Sequence, residues 1–254
     1  MIVIYVRCTE DWGNYSIQQF LNKHKNTNFA SGVFENIVLA NSFVQQIKLW
    51  NKRMDIDYFQ YRASLKKIAQ STIEKYKICY NFEELCSVDD DDIICPTDDD
   101  DWFRNDLEEK LPQYIKNAEC VLWDQIVHTI PVFSPHRWYN HHNDVGSNNY
   151  AIKAKFLKSL SSDTQWTILN RHDKFNKICQ YYKIEKTNDL LSCYLWHIGS
   201  FTYMLENNIL ANHNEIKDDT LKDPEMKWAQ KQTTELIKIY NNMIKSIKQV
   251  KFYL

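Results

Sequence analysis

Ile93-Ile94-Cys95-Pro96-Thr97-Asp98-Asp99-Asp100-Asp101-Trp102-Phe103 is the stretch that decides the fold and chemistry predicted for this chain. Its first five residues are typical of a short buried strand. A second run of four aspartates, residues 89–92, precedes that strand, so acid flanks it at both ends. Neighbouring like charges repel, at a cost in stability that a cation or solvent must relieve. Asp92 and Asp98 lie roughly 20 Å apart along an extended strand, so the two runs cannot share one ion.

Strand direction selects the second aspartate run as the candidate site. Ligands of open α/β sheets bind beyond the carboxyl ends of the strands, and residues 98–101 follow the strand. Alternation along an extended chain would place Asp98 and Asp100 on one side and Asp99 and Asp101 on the other. Two carboxylates at that spacing can hold Mg²⁺ or Mn²⁺ and leave positions open for phosphate oxygens. The first run is predicted to be a solvated acidic loop.

Hydrophobic periodicity predicts strands interleaved with helices, which is typical of an α/β sheet. Two helices are expected, over residues 56–78 and about 103–117. The predicted strands, besides the one before the aspartates, cover residues 2–8, 120–123, 130–133, 149–152 and 166–169.

Composition excludes several classes of function. The chain has 254 residues, of which 44% are hydrophobic and 25% charged, so it can bury a core. A net charge of -2 argues against nucleic acid as the main partner. The four glycines are too dispersed for a dinucleotide-binding fingerprint or a P-loop.

The cysteines and apolar runs predict a soluble cytoplasmic protein. The seven cysteines form no CxxC pair, and several lie in apolar runs, as Cys95 does, like reduced, buried small hydrophobes. No stretch approaches the roughly 18 apolar residues of a membrane span.

The C-terminal part differs from the rest. Residues 211–226 are polar and are predicted to be a linker, so the expected domains are 1–210 and 211–254. The last 30 residues form an amphipathic helix pattern with lysines opposite the apolar face. Such a helix can cover the core, or it can contact an anionic membrane surface that carries a lipid-linked acceptor.

These features together resemble a known group of enzymes. A first strand ending in Arg7, a helix carrying Arg62, and the stretch 93–102 resemble nucleotide-sugar-dependent glycosyltransferases of the GT-A fold. Within them the chain is similar to the rhamnosyltransferase-like family, in which four aspartates follow the strand. The similarity covers about residues 1–200. It implies a Rossmann-like mixed central sheet flanked by helices, with the C-terminal helix packed on that domain.

The resemblance implies a metal-dependent transfer of a hexosyl or deoxyhexosyl group from a nucleotide-diphosphate sugar to a glycan or glycolipid. Asp98 would face the nucleotide and Asp100 would hold Mn²⁺ or Mg²⁺, with Asp99 and Asp101 as alternates. The metal would neutralise charge on the leaving diphosphate.

Further residues complete the expected site. The group often adds a metal-ligating histidine downstream, which makes His172 the candidate and His197 its competitor. Arg7, Arg62 and Arg171 could pair with phosphate or base, because the guanidinium fork suits phosphate.

An inverting enzyme needs a carboxylate that takes the proton of the acceptor hydroxyl. Asp163 and Asp144 lie in predicted polar loops between the aspartate run and His172, and either could serve.

Two rival functions stay open at this point. A phosphodiesterase or nuclease could work at the same acidic cluster, but it would need further ligands converging on two metals. A non-enzymatic cation-binding or interaction module would need no sugar donor at all.

Overall fold

The computed structural model describes residues 1–7, 62, 65–67, 69–70, 72–80, 82–130, 134–138, 145–146, 148–170, 172, 174–175 and 181–197. Of residues 127–130, 134–138 and 196–197 the backbone alone is described. The chain divides into two compact units. The first comprises Met1–Cys8, Ala69–Val127 and Arg137–Tyr194, and the second comprises Thr9–Ile68, His128–His136 and Leu195–Leu254.

The described residues form a mixed α/β structure around one sheet. The strand order is β2-β1-β3-β7-β5-β8-β4, with β6 paired to β5. The strands are β1 (Ile2–Arg7), β2 (Lys77–Cys79), β3 (Ile93–Asp98), β4 (Trp102–Phe103), β5 (Cys120–Ile130), β6 (Ser134–Trp138), β7 (Tyr150–Lys153) and β8 (Ile184–His197). The helices with complete bounds are α1 (Phe82–Leu85), α2 (Leu107–Ile115), α3 (Ala154–Ser159) and α4 (Ser162–Asn170).

Strand directions bring the carboxyl ends of β1 and β3 to the same edge of the sheet. β1 pairs in parallel with both β2 and β3. β7 runs antiparallel to β3 and to β5, so β5 points the same way as β3. The carboxyl ends of β1 and β3 and the amino end of β7 therefore meet at one edge, where α/β sheets bind their ligands.

Helices cover both faces of the sheet in the first unit. On one face, Tyr5, Ile94 and Leu122 belong to a core with α3 and α4. On the other face, Ile4 and Cys95 belong to a core with α2. The alternation of side chains along each strand divides the apolar residues between the two layers.

The prediction of an α/β sheet flanked by helices is thus confirmed for this part of the chain. The strands predicted at 2–8, before the aspartates, at 120–123 and at 149–152 are present, as is the helix near 103–117. Cys95, Cys120 and Cys193 are fully buried, as expected of small hydrophobic residues.

The prediction of a strand at 166–169 is wrong, because these residues lie in α4. Ser161 begins this helix: its carbonyl accepts from Gln165 N–H at 2.9 Å and its hydroxyl accepts from Thr164 N–H at 3.4 Å. Asp163 adds an acid to the first turn, which the helix dipole favours. The short apolar run inside α4 is one that periodicity alone cannot assign to strand or helix.

Two further boundaries differ from the sequence prediction. The helix predicted for 56–78 is helical at the described residues from Arg62 to Gln70, but Lys77–Cys79 form β2. The strands predicted at 120–123 and 130–133 share one long strand, β5, which runs through Ile130. Residues 131–133 and the predicted C-terminal linker and helix lie outside the described residues. No helix among the described residues is long and apolar enough to cross a membrane.

Candidate functional site

Arg7 and Asp98 are the last residues of β1 and β3, and they are partners in the parallel register of these strands. Because side chains alternate along a strand, Arg7 lies on the same face as Tyr5, and Asp98 on the same face as Ile94. Arg7 Nε lies 2.9 Å from Asp98 Oδ1, with side-chain exposures of 5% and 30%. The pair is the charged end of an otherwise apolar face.

The two charges change each other's pKa. Burial alone would lower the pKa of Arg7, but the influence of Asp98, together with smaller ones from Tyr150, Asp101 and Tyr5, outweighs it, so the pKa is raised above its ordinary value. Burial raises the pKa of Asp98 and Arg7 opposes that rise. Asp100 raises the pKa of Asp98 further, whereas His172 lowers it. These influences place Arg7, Asp100 and His172 close to one carboxylate.

The aspartate run forms a turn, so the predicted alternation of its side chains is wrong. Residues 99 and 100 are in turn conformation, and Asp101 N–H donates to the carbonyl of Asp98 at 3.3 Å. This is the hydrogen bond of a β-turn that begins at Asp98, a position where aspartate is favoured. The strand ends earlier than the alternation argument assumed. We call residues 98–101 the acidic turn.

The acidic turn is buried. Asp99 is 3% exposed, Asp100 is 5% exposed and Asp101 is 1% exposed. Carboxylates are almost never buried to this degree unless they are paired or bind a cation. These three carboxylates therefore belong to the protein interior, unlike those of a solvated loop.

The end of α4 contacts the Arg7–Asp98 pair. Arg7 Nη1 donates to the carbonyl of Leu169 at 3.5 Å, and Tyr5 Oη donates to Asn170 Oδ1 at 3.2 Å. The last carbonyls of a helix carry partial negative charge, which favours a cation at this position. His172 follows the last residue of α4 by two positions, and its charge lowers the pKa of Asp98.

Residues that the sequence analysis missed line the same edge. Asn148 Nδ2 donates to the carbonyls of Cys193 at 3.1 Å and Trp102 at 3.4 Å. Asn149 Nδ2 donates to the carbonyl of Trp123 at 3.1 Å. The only signal in the sequence was the pair Asn148 and Asn149 at the start of an apolar segment. These residues can be assigned to the edge where β3 ends only once β7 is known to run antiparallel to it.

Asp124 is a further residue that the sequence analysis missed. It is fully buried in β5, between Trp123 and Gln125. Leu122 pairs with Tyr150, and counting two residues further places Asp124 level with Asp98 on the same face, two strands and roughly 10 Å away. A lone acid directly after the strand predicted at 120–123 gave no motif.

The donor atoms of the acidic turn suit a hard cation. Within the described residues, no group of three or more histidine, cysteine, aspartate or glutamate side chains is arranged to hold a metal ion. Mg²⁺ commonly takes only one or two protein carboxylates and completes its shell with water and substrate phosphate. The oxygen donors of the turn fit that arrangement, with a phosphate-bearing ligand supplying the remaining oxygens.

The remaining predicted site residues lie in other elements, in the second unit or outside the described residues. Asp163 is exposed in the first turn of α4, about 9 Å along the helix axis from Leu169. Arg62 is buried and belongs to the second unit. The backbone of His197 ends β8, and its side chain lies outside the described part. Asp144 and Arg171 also lie outside the described residues.

The first acidic run, residues 89–92, makes structural contacts of its own. Asp92 accepts from Asp89 N–H at 3.0 Å and lies 2.9 Å from the amino nitrogen of Met1. Burial alone would raise the pKa of Asp92, but these contacts lower it below the ordinary value. Lys158 pairs with Asp90 at 3.0 Å. Asp89, Asp90 and Asp91 are exposed, as predicted for a solvated loop, whereas Asp92 is buried.

Comparisons with known proteins give weak similarities. The chain matches no protein-family model and no curated protein. Residues 1–349 of TarS from S. aureus are similar at 9% identity and a TM-score of 0.36, over 76% of this chain and 60% of that one. A "Putative Glucose-1-Phosphate Thymidylyltransferase" from Bacillus anthracis, in complex with a sucrose, is similar at 13% identity and a TM-score of 0.31. That similarity covers 85% of this chain and 96% of the other. Scores this low carry no argument for fold or function.

Proposed function

We propose that this protein is a metal-dependent glycosyltransferase that moves a sugar from a nucleotide-diphosphate donor to a glycan or lipid-linked acceptor. The observation that carries the proposal is the Arg7–Asp98 ion pair beside the buried acidic turn, at the carboxyl ends of two neighbouring parallel strands. This edge is where α/β sheets bind nucleotides. A cytoplasmic location belongs to the same proposal.

Arg7 is the group that would meet the anionic part of the donor. Its guanidinium offers several N–H donors in one plane. Nε forms an ion pair with Asp98, and Nη1 donates a hydrogen bond to the carbonyl of Leu169. These two contacts fix the orientation of the side chain. A fixed guanidinium binds phosphate with less loss of side-chain entropy than a free one.

The acidic turn would hold Mn²⁺ or Mg²⁺ through Asp100, with Asp98, Asp99 or Asp101 as the second carboxylate. When bound, the ion would neutralise negative charge on the leaving diphosphate. His172 is the described histidine whose charge influences Asp98, and it is the proposed nitrogen ligand or proton partner at this site.

The acceptor's proton requires a base, for which Asp163 and Asp144 are the proposed candidates. Asp163 is exposed and therefore free to meet an acceptor from solvent. If it serves, Asp163→Asn should lower turnover at least 100-fold while donor affinity stays unchanged. Unchanged turnover would assign the role to another carboxylate.

The proposal is tested by thermal shift with UDP-, GDP- and dTDP-linked sugars, each with and without Mn²⁺. A ligand that binds the folded state raises the melting temperature, and at 100 times its Kd it adds about 2.7 kcal/mol of stability. We expect at least one donor to stabilise the protein, and more strongly with Mn²⁺. No response to any donor would overturn the proposal.

Two variants localise the effect. Asp100→Asn should abolish the Mn²⁺-dependent part of the shift. Asp91→Asn is its matched control, because it makes the same change at an exposed aspartate of the first acidic run. If both variants lost the Mn²⁺-dependent shift equally, the acidic turn would not be the metal site.

Two other results would favour the rival functions. Cleavage of a phosphodiester without a sugar donor would favour a phosphodiesterase or nuclease, and cation binding without any turnover would favour a non-enzymatic interaction module.

A further inference from the structure

Asn148 joins the strand that follows the acidic turn to its neighbour in the sheet. Its Nδ2 donates to the carbonyl of Cys193 at 3.1 Å and to the carbonyl of Trp102 at 3.4 Å. Trp102 and Cys193 are register partners in the antiparallel pair of β4 and β8. An amide nitrogen carries two N–H groups, so one side chain can bond to both strands at once. Asn148 is fully buried, and bulk water therefore does not compete for these bonds.

The strand that Asn148 holds is the direct continuation of the acidic turn. Residues 98–101 lead straight into Trp102, the first residue of β4. β4 has only two residues, so its ladder with β8 consists of two residue pairs. One further backbone bond follows, from Arg104 N–H to the carbonyl of Leu191 at 2.9 Å. In a ladder this short, the two bonds from Asn148 are a large share of the directional contacts that hold the strand.

The two ends of the acidic turn are held by different contacts. At its start, Asp98 pairs with Arg7 at the end of β1. At its end, Asp101 lies near β8. Burial raises the pKa of the Cys193 thiol well above its ordinary value, and the charge of Asp101 raises it further. Because Asp101 is bonded covalently to β4, any shift of β4 along β8 would move this carboxylate and the end of the turn with it.

Hydrogen bonds and apolar packing make different contributions to the position of β4. Trp102 and Phe103 are fully buried, and the ring of Phe103 packs edge-on against Trp123 with centroids 6.4 Å apart. Apolar burial is not directional, so it stabilises the strand without fixing its position closely. A hydrogen bond weakens steeply away from its preferred distance and angle. Ligands of a functional site need placement within about 0.5 Å, which the directional bonds from Asn148 can provide.

We propose that Asn148 is a positioning residue for the metal: by bonding β4 to β8 it fixes the end of the acidic turn and thereby the placement of the turn's carboxylates. This inference rests on the proposed function, since a metal at the acidic turn is part of that function. Asn148 acts through the backbone of Trp102 and not as a ligand. Groups that orient metal ligands in this way typically contribute roughly 10- to 100-fold to metal affinity.

Asn148→Leu tests this role, because leucine has nearly the shape of asparagine and donates no hydrogen bond. It also removes Asn148 Oδ1, which has no hydrogen-bond partner, so the effect comes from the lost N–H bonds. The Kd for Mn²⁺ is measured from the electron paramagnetic resonance signal of free Mn²⁺, with the ion alone and with UDP, GDP or dTDP. We expect Mn²⁺ to bind about 10-fold more weakly than to the wild type. The Kd of the diphosphate without metal should stay unchanged, since Arg7 has its own contacts with Asp98 and Leu169.

Asn149→Leu is the matched control. Asn149 is the next residue and is also fully buried. Its Nδ2 donates to the carbonyl of Trp123 at 3.1 Å, and its Oδ1 accepts from Gly146 N–H at 2.8 Å. These bonds hold β5 and the segment before β7, and neither of them involves β4. The variant should lower the melting temperature while the Kd for Mn²⁺ equals that of the wild type.

Asn148→Ser is a second variant, which can keep at most one of the two bonds because a hydroxyl has one donor. It should also bind Mn²⁺ more weakly than the wild type, and it carries the test if Asn148→Leu does not fold. A wild-type Kd for Mn²⁺ in the folded Asn148 variants would reject the positioning role while the proposed function stands. Equal losses in the Asn148 and Asn149 variants would also reject it, because they would indicate a general loss of structure at this edge. If the wild type binds no Mn²⁺ in either condition, the metal-dependent function fails and the inference fails with it.

Discussion

Arg7 Nε lies 2.9 Å from Asp98 Oδ1, and this contact joins the ends of two parallel strands that are separated by about ninety residues of sequence. Arg7 is the more buried of the two, with 5% of its side chain exposed. Removing one partner of such a pair leaves the other charge poorly solvated. The pair therefore couples the stability of the sheet to the geometry of the candidate site.

Arg7→Met should lower the free energy of unfolding by about 2 kcal/mol, measured by urea denaturation at pH 7. This is less than the ~3–5 kcal/mol for breaking a fully buried pair, because Asp98 keeps 30% of its side-chain surface in solvent. The double variant Arg7→Met, Asp98→Asn should be more stable than the sum of the single losses predicts, because it leaves no charge unpaired. Strict additivity would show that the two groups do not interact.

Tyr150→Phe should cost about 1 kcal/mol of stability. Tyr150 is fully buried, and its hydroxyl donates to the carbonyl of Ile168 at 2.8 Å. Tyr5→Phe is the matched control, since the Tyr5 hydroxyl also contacts α4 but makes a longer, partly buried bond of 3.2 Å to Asn170. Thermal denaturation should rank the loss for Tyr150 above that for Tyr5. The reverse order would contradict the role given to the Ile168 contact.

Asp189→Asn should make stability less dependent on pH in the acid range. Asp189 Oδ2 accepts from Lys110 Nζ at 2.7 Å and from Tyr114 Oη at 2.5 Å. Burial alone would raise the pKa of Asp189, but these hydrogen bonds outweigh it and lower the pKa below its ordinary value.

The sign follows from proton linkage. A carboxylate whose pKa is lower in the folded state stabilises the protein above its unfolded pKa of about 3.9. That stabilisation disappears as the pH falls through the folded pKa. Wild type should therefore exceed Asp189→Asn by about 1 kcal/mol at pH 7, and the difference should shrink below pH ~4. Urea denaturation at pH 7 and pH 3 measures it. A difference that grows in acid would contradict the prediction.

Gly146→Ala should destabilise the protein, because the added Cβ would lie 2.2 Å from Gln125 Nε2 and 2.9 Å from Gln125 Cδ. Gln125 is 2% exposed, so its amide has little room to move. The expected loss in urea denaturation is about 1–3 kcal/mol. In the Gln125→Ala background the same glycine substitution should cost much less. An equal cost in both backgrounds would show that another contact is responsible.

The sequence predicted the strands that carry the candidate site residues more accurately than it predicted how those side chains are arranged. The strand before the aspartates and the position of Arg7 at the end of the first strand agree with the structure. The alternation of the four aspartates was wrong because a β-turn begins at Asp98. The prediction of a strand at 166–169 was wrong because a stretch of four residues carries too little periodicity to distinguish strand from helix.

The amino-acid sequence by itself determined which segments are apolar enough to be buried and where an acidic run follows a strand, because burial and charge are local properties of composition. Only the tertiary structure decided that Arg7 faces Asp98, that the charge of His172 influences this carboxylate, and that Asn148 bonds the carbonyls of Trp102 and Cys193. These relationships depend on the order, direction and register of strands far apart in the chain. Such pairings are set by the packing of the whole sheet, and no short stretch of residues encodes them.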